Sequence, residues 1–193
     1  MEYLLSPYAD SSPPFAYWEN GFEEKELDRL QEMAKNVKQS AAIGDAKSAV
    51  IDKQKRRASV EFIGCNEETN WIYEKLAKIV GEINAEYFRF DLNGFGEALQ
   101  LTNYDESQQG MYGWHQDFGS KISRKLSVVL QLSDPSEYEG GNLQIMGNGS
   151  PVTIKKSRGF VVIFPAYTLH QVTPVVKGSR QSLVTWVSGP QFK

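Results

Sequence analysis

The alternation of residue types in the second half of the chain is the feature that most restricts its fold. From Tyr87 onward, short apolar or alternating segments are separated by Gly, Pro, Asn and Asp. In residues 125–132, the even positions carry Leu or Val on one face, and Ser127, Val129 and Gln131 fall on the other. Strands of this kind are typical of a sandwich or barrel, although periodicity does not distinguish a Greek key, a meander and a jelly roll. The seven predicted strands are Ala98–Tyr104, Lys125–Leu132, Asn142–Met146, Val152–Lys155, Phe160–Phe164, His170–Pro174 and Ser182–Val187.

Helical periodicity is confined to the first half of the chain. Apolar residues recur at helical spacing over Phe22–Lys38, and again over Asn66–Tyr87. Asn20 and Glu23 resemble a capping box for the first helix, and the asparagine that opens the second segment predicts its N-cap. Two helices therefore precede the strand-rich region.

The segment between the two predicted helices is polar and basic. We interpret Lys53–Arg57 as a solvated loop, with contact to an acidic ligand as the alternative. A strand is predicted at Ala58–Ile63. The sequence thus predicts a mainly β fold with flanking helices (α+β), as one domain over residues 1–193. Its helix-rich part is 1–90 and its strand-rich core is 91–193.

Composition excludes several classes of protein. The net charge of −3 provides no global positive field for nucleic acid or an anionic membrane surface. Cys65 is the single cysteine, so neither an internal disulfide nor a Cys-rich metal site is possible. The sequence contains no run of 18 apolar residues, and its amino terminus lacks the pattern of a secretory signal. We expect a cytoplasmic protein without nucleic acid or membrane as a partner. The sequence does not indicate its oligomeric state.

The only two histidines of the chain predict a metal site. His115 and Asp117 are two residues apart, so on an extended segment both side chains project from the same face. His170 lies beyond several predicted strands, and an antiparallel sandwich can bring it to the same point. Two imidazoles and one carboxylate form the facial triad of non-haem Fe(II), although zinc accepts the same ligands. The His-x-Asp pair alone is a weak signal, because it occurs by chance in ~8% of such chains.

A second pair of residues follows His170. Arg180 and Ser182 face the same side of a predicted strand. A guanidinium beside a hydroxyl is suited to binding a carboxylate, because arginine offers a planar pair of donors and serine adds a third hydrogen bond. Lys177–Ser179 is predicted to form the turn that returns the chain towards the metal. A surface position for Arg180 is the alternative interpretation.

The order of these motifs resembles the Fe(II)- and 2-oxoglutarate-dependent oxygenases. The order is His-x-Asp, the Glu-Gly-Gly-Asn-Leu segment Glu139–Leu143, the segment Phe164–His170 and Arg-x-Ser. Within this superfamily the sequence is most similar to the prolyl 4-hydroxylase-like branch. The resemblance covers about half of the chain, from Ala98 to Pro190. It implies a double-stranded β-helix, or jelly-roll, core with the N-terminal helices packed outside.

The resemblance also implies the ligands of the metal and the co-substrate. His115, Asp117 and His170 would bind Fe(II), and no catalytic residue beyond these ligands is expected. Arg180 would pair with the distal carboxylate of 2-oxoglutarate, helped by Ser182. Collagen-type prolyl hydroxylases tend to have lysine where this arginine stands, which separates the chain from that subgroup.

Two further residues are candidates for the co-substrate pocket. Tyr104 falls where such enzymes often place a tyrosine that binds the co-substrate, and a packed strand aromatic is the alternative. Gln131 is a further candidate for the pocket wall.

The activity implied is hydroxylation of a prolyl or other peptidyl residue, or of a small amino-acid-like molecule. O2 would be consumed, 2-oxoglutarate would be converted to succinate and CO2, and ascorbate is a candidate reductant. Two alternatives remain at this point. One is oxidative demethylation of nucleobases, which the acidic charge disfavours. The other is a metal- or sugar-binding jelly roll without turnover.

Overall fold

Residues 12–43, 50–118 and 122–191 are described by the computed structural model, and they form two α-helices, three shorter helical segments and fourteen strands. The helices are α1 (Glu24–Lys35) and α2 (Asn70–Ile83). Strands in the first half are β1 (Ala16–Trp18), β2 (Gln39–Ser40), β3 (Arg56–Arg57), β4 (Ser59–Ile63) and β5 (Gly94–Phe95). The remaining strands are β6 (Leu99–Asp105), β7 (Met111–His115), β8 (Arg124–Gln131), β9 (Tyr138–Gly140), β10 (Leu143–Met146), β11 (Pro151–Thr153), β12 (Val161–Pro165), β13 (His170–Val172) and β14 (Val175–Ser188).

Two antiparallel sheets form the core of the molecule. The larger sheet has the order β1-β12-β8-β14-β6-β4-β2, and β5 and β9 also pair with β14. The smaller sheet has the order β11-β10-β13-β7-β3. From β6 onward the chain passes repeatedly between the sheets, which is the strand order of a jelly roll. The predicted fold class, mainly β with flanking helices, is confirmed.

Both faces of β8, in the middle of the larger sheet, are buried, and its alternating residues fall on opposite faces as predicted. Leu126, Val128 and Leu130 belong to the apolar cluster that also contains the buried faces of α1 and α2. Val129 belongs to a second cluster, between the two sheets, and Ser127 and Gln131 share its face of the strand. The helices therefore cover the outer face, and the inner face is left to form a site.

The two helices begin later than predicted. The capping box of α1 joins Glu23 and Glu26, and the Glu23 backbone N–H donates to the Glu26 carboxylate at 2.7 Å. The predicted capping role of Asn20 is wrong, because that residue adopts a left-handed conformation with φ of 60°. Asn66 accepts hydrogen bonds from two backbone N–H groups of the turn that precedes α2. Thr69 occupies the N-cap position of the helix itself.

The predicted turn at Lys177–Ser179 is also wrong, because β14 continues through these residues. The pairing with β9 shifts register between Val175 and Lys177, so the irregularity is a bulge within a strand. Gly178 has a φ of +72°, and a Cβ atom there would lie 2.0 Å from the Glu137 carbonyl oxygen. Glycine is required because two backbones approach closely at this point. Arg180 and Ser182 consequently lie inside a continuous strand.

Neither α1 nor α2 is long and apolar enough to cross a membrane, and no other helix in the described part of the chain is either.

Candidate metal centre

The structure brings His115, Asp117 and His170 together at one end of the barrel. His115 ends β7 and pairs in register with His170, the first residue of the neighbouring strand β13. The possible ligand atoms of the three side chains all lie within 4.8 Å of one another. Nε2 of His115 is 3.7 Å from Asp117 Oδ1, and Nε2 of His170 is 3.5 Å from Asp117 Oδ2. The side chains are mostly buried, so a cation between them would be held away from bulk water.

Both imidazole rings are oriented by backbone carbonyl groups. Nδ1 of His115 lies 2.8 Å from the Gly113 oxygen, and Nδ1 of His170 lies 2.9 Å from the Thr168 oxygen. A carbonyl oxygen only accepts hydrogen bonds, so each Nδ1 must carry the proton when its ring is neutral. Each Nε2 then presents its lone pair towards Asp117, which is the arrangement that metal-binding histidines usually show.

The ionisation of Asp117 and His115 also suits a divalent cation. Burial alone would raise the pKa of Asp117, but nearby His170 and His115 and a hydrogen bond from Ser127 lower it below its usual value. Ser127 Oγ donates this hydrogen bond to Oδ2 at 2.7 Å. Burial, reinforced by the neighbouring His170, lowers the pKa of His115 to about 3. An anionic carboxylate and a neutral imidazole are therefore present at neutral pH, and this donor set fits Fe(II) as well as Zn(II).

Arg180 and Ser182 lie on the inner face of β14 with hydrogen-bonding capacity unused. Arg180 is 1% exposed, and its Nη2 donates to Gln131 Oε1 at 2.8 Å. Within the described residues, Arg180 Nε and Nη1, Ser182 Oγ and Gln131 Nε2 are buried and have no hydrogen-bond partner. A buried polar group without a hydrogen-bond partner costs about 1–3 kcal/mol of folding stability. A carboxylate would accept hydrogen bonds from several of these donors at once, so the residues present fit the distal carboxylate of 2-oxoglutarate.

Tyr104 and the segment Glu139–Leu143 both contact the arginine. Tyr104 pairs with Arg180 in register, and its ring centroid lies 5.4 Å from the guanidinium carbon. Gly141 has a φ of +56°, and a Cβ atom on it would lie 3.1 Å from Arg180 Cδ. These contacts hold the arginine in place, and the roles of Tyr104 and Gln131 towards a co-substrate stay predictions.

Two groups at the site were missed by the sequence analysis. Ser127 belongs to the polar face of β8, so its alternation with Leu126 and Val128 was an available signal. The second group is a salt bridge in which Arg124 donates to Glu97 at 2.6 and 2.7 Å and lies 3.9 Å from the Trp186 ring centroid. No local pattern reveals this group, because its members come from separate parts of the chain.

Comparison with known proteins gives matches in both sequence and structure. Residues 99–188 match a sequence model of the 2OG-Fe(II) oxygenase superfamily. A PKHD-type hydroxylase from Sphingopyxis alaskensis is 28% identical over 124 residues, which cover 60% of this chain and 56% of that protein. The chain thus spans about half the length of this curated relative.

Solved structures with the same fold include two prolyl hydroxylases. A prolyl-4-hydroxylase from Pseudomonas putida superposes with a TM-score of 0.73 at 18% identity, covering 91% of this chain and 93% of that one. A prolyl hydroxylase from Trichoplax adhaerens, solved with a hypoxia inducible factor oxygen degradation domain peptide fragment, has a TM-score of 0.76 at 16% identity. That match covers 92% of this chain and 84% of the other. At these identities the likeness establishes the fold.

Ser127→Ala is expected to raise the Kd for Fe(II) by about 10- to 100-fold, because Asp117 loses the hydrogen bond that orients it. Anaerobic equilibrium dialysis with Fe(II) measures this constant. Ser188→Ala is the control, since its hydroxyl bonds the Gly94 carbonyl oxygen instead. Equal changes in both variants would contradict a specific role for Ser127.

The buried imidazole of His115 predicts acid sensitivity of the metal-free protein. Because burial lowers the pKa of His115 from 6.5 to about 3, the unfolded chain binds more protons than the folded one between these pH values. The free energy of unfolding should therefore decrease as pH falls from about 6.5 towards 3, by up to about 1.4 kcal/mol per pH unit from this group. Urea unfolding across this range, with His115→Gln for comparison, measures the effect. If His115→Gln is as acid-sensitive as the wild type, His115 is not the group that causes the loss of stability.

Proposed function

We propose that this protein is an Fe(II)- and 2-oxoglutarate-dependent hydroxylase, because residues 99–188 match a sequence model of the 2OG-Fe(II) oxygenase superfamily. It would couple oxidative decarboxylation of 2-oxoglutarate, to succinate and CO2, with hydroxylation of a second substrate by O2. The observation that carries this proposal is that two groups of side chains share the inner face of the barrel. Three ligand atoms converge within 4.8 Å, and unpaired donors of Arg180 and Ser182 lie on the larger sheet opposite.

The three converging side chains would hold the metal. His115, Asp117 and His170 together provide three ligands and leave coordination positions open for the co-substrate and O2. When bound, Fe(II) supplies the redox chemistry that links loss of CO2 from 2-oxoglutarate to oxygen insertion into a C–H bond of the substrate. Ser127 and the two backbone carbonyl groups keep the ligands in their orientation, and the barrel wall excludes water.

The co-substrate would be held by the inner face of β14. Among the described residues, two nitrogen donors of Arg180, Nε and Nη1, and the Ser182 hydroxyl have no hydrogen-bond partner, and together they match the oxygen atoms of one carboxylate. Gln131 fixes the guanidinium through the bond to Nη2, so the free N–H groups keep one direction. This pre-organisation favours a dicarboxylate over a monocarboxylic oxo acid, because the latter leaves the buried arginine unpaired.

The substrate is proposed to be a prolyl or other peptidyl residue, or a small amino-acid-like molecule. The peptide fragment bound by the prolyl hydroxylase from Trichoplax adhaerens supports a peptide. A cytoplasmic location is part of the proposal, because the single cysteine, Cys65, is exposed and free. Ascorbate remains a candidate reductant.

The first test is turnover of 2-oxoglutarate. Wild-type protein should release succinate only when Fe(II) is present, whereas His115→Ala should lose more than about 99% of this activity because it removes a ligand. Succinate release and Fe(II) binding are measured together, with Lys78→Ala on the exposed side of α2 as a surface control. If the wild-type protein neither binds Fe(II) nor releases succinate, the enzyme hypothesis is refuted, and a binding module without turnover is the remaining hypothesis.

The co-substrate site has its own test. Ser182→Ala should raise the KM for 2-oxoglutarate by about 10-fold, since one hydrogen bond to a charged group is lost, and should leave the Kd for Fe(II) unchanged. Thr185→Val is the matched control, because its buried hydroxyl also lacks a partner among the described residues but lies on the helix-facing side of β14. An equal rise in KM for both variants would remove Ser182 from the site.

A further inference from the structure

Arg56 is a buried arginine at the seam of the barrel, where β3 pairs with β7. It is only 8% exposed, and Arg56 and Arg57 form a strand, so the interpretation of Lys53–Arg57 as a solvated loop is wrong at these two residues. Arg56 pairs in register with Tyr112, which in turn pairs with Val172 of the cluster between the sheets. The side chain of Arg56 therefore lies at the edge of the inner face, on the same side as the metal centre.

The guanidinium of Arg56 lies one aromatic ring away from a predicted metal ligand. Its Cζ atom is 4.6 Å from the Tyr112 ring centroid, and the Tyr112 ring stacks on His115 with centroids 3.4 Å apart and planes at 17°. The two distances place Cζ no farther than about 8 Å from the centre of the His115 ring. The positive charge thus lies within about 8 Å of a proposed metal ligand, and Tyr112 contacts both groups.

The charge of Arg56 has no counterion in the described part of the chain. Nη1 donates to the Ala42 carbonyl oxygen at 3.1 Å, whereas Nε is buried without a hydrogen-bond partner. Two other arginines differ in this respect, since Arg124 pairs with Glu97, and Arg158 pairs with two acidic residues of α1. A buried, unpaired guanidinium is costly unless a ligand meets it.

Arg56 and Arg180 share two properties, burial and an incomplete set of hydrogen bonds. Among the described residues they are the only buried arginines, and each keeps at least one buried N–H group without a partner. In the proposed function, the two positive charges of Fe(II) are balanced by the two carboxylates of 2-oxoglutarate. The negative charge of Asp117 balances the positive charge of Arg180. Among the described residues, no acidic group then balances the charge of Arg56, which is available for the second substrate.

We propose that Arg56 binds a carboxylate of the substrate, which makes the substrate class free amino acids or peptides with an acidic group near the hydroxylated carbon. This inference rests on the proposed function, because it assigns the substrate of the same site. The stacked Tyr112 holds the guanidinium in place, and the short distance to His115 limits the acidic group to a few bonds from the reacting carbon. Arginine suits this role because its planar donors match a carboxylate.

Matched probes test the carboxylate requirement and its source. One arm compares the common free L-amino acids with their amides. The other compares acetylated, amidated pentapeptides that contain Asp or Glu with the same peptides containing Asn or Gln. Binding to protein loaded with Mn(II) and 2-oxoglutarate is measured by calorimetry without turnover, and substrate-dependent succinate release is measured with Fe(II). In at least one arm, the wild type should prefer the acid by about 10- to 100-fold.

Variants at adjacent positions of β3 assign this preference to a residue. Arg56→Gln should reduce the ratio of acid to neutral affinity to about one. Arg57→Gln should preserve the ratio, because Arg57 is partly exposed and donates to the Gln109 and Lys53 carbonyl oxygens. If Arg56→Gln does not fold, Arg56→Lys is used instead, and its ratio should fall several-fold because lysine lacks the planar donor pair.

Three results would overturn the inference: neutral probes that bind the wild type as well as acids do, no binding of any acidic probe, or an acid preference unchanged by substitution of Arg56. The binding arm does not require turnover. An intact, Arg56-dependent acid preference without succinate release would therefore count against the proposed function alone.

Discussion

The antiparallel pairing of β7 with β13 is the contact on which the site depends. It sets His115 opposite His170, and the chain leaving β7 places Asp117 between them, where its backbone N–H bonds the Ala166 carbonyl oxygen. Cross-strand neighbours lie about 5 Å apart, so this register alone brings two imidazoles within reach of one cation. A shift of one residue would turn one of the rings to the outer face of the smaller sheet.

The larger sheet completes the site, because one of its faces packs against the helices and the other carries polar side chains. Its outer face packs against α1 and α2 through a continuous apolar cluster, which supplies the burial that stabilises the fold. The inner face can then carry Ser127, Gln131, Arg180 and Ser182, whose buried polar atoms add little to stability. Donors that remain unpaired in the folded chain are the groups expected to meet a ligand, since binding removes their cost. The same argument applies to Arg56 in β3, whose buried Nε has no hydrogen-bond partner among the described residues.

Sequence patterns predicted seven strands of the core, because a period of two needs only local information, but they missed β7, which carries His115, and β9. Leu126, Val128 and Leu130 fall on the helix side as the pattern required. The errors lie where a distant segment overrides a local signal. Lys177–Ser179 resembles a turn, but β9 pairs with it and converts it into a bulge. Arg56 belongs to a basic run that is typical of solvent-exposed loops, but the pairing of β3 with β7 buries its side chain.

The sequence by itself determined the donor set and the faces of the strands. With only two histidines, the His-x-Asp pair and His170 were the sole imidazole-containing candidates, and alternation placed Arg180 and Ser182 on one side of a strand. Only the tertiary structure decided the register of His115 against His170, the hydrogen bond from Ser127 to Asp117, and the absence of a counterion for Arg56 among the described residues. Each of these depends on contacts between segments distant in sequence, and local periodicity carries no information about which segments become neighbours.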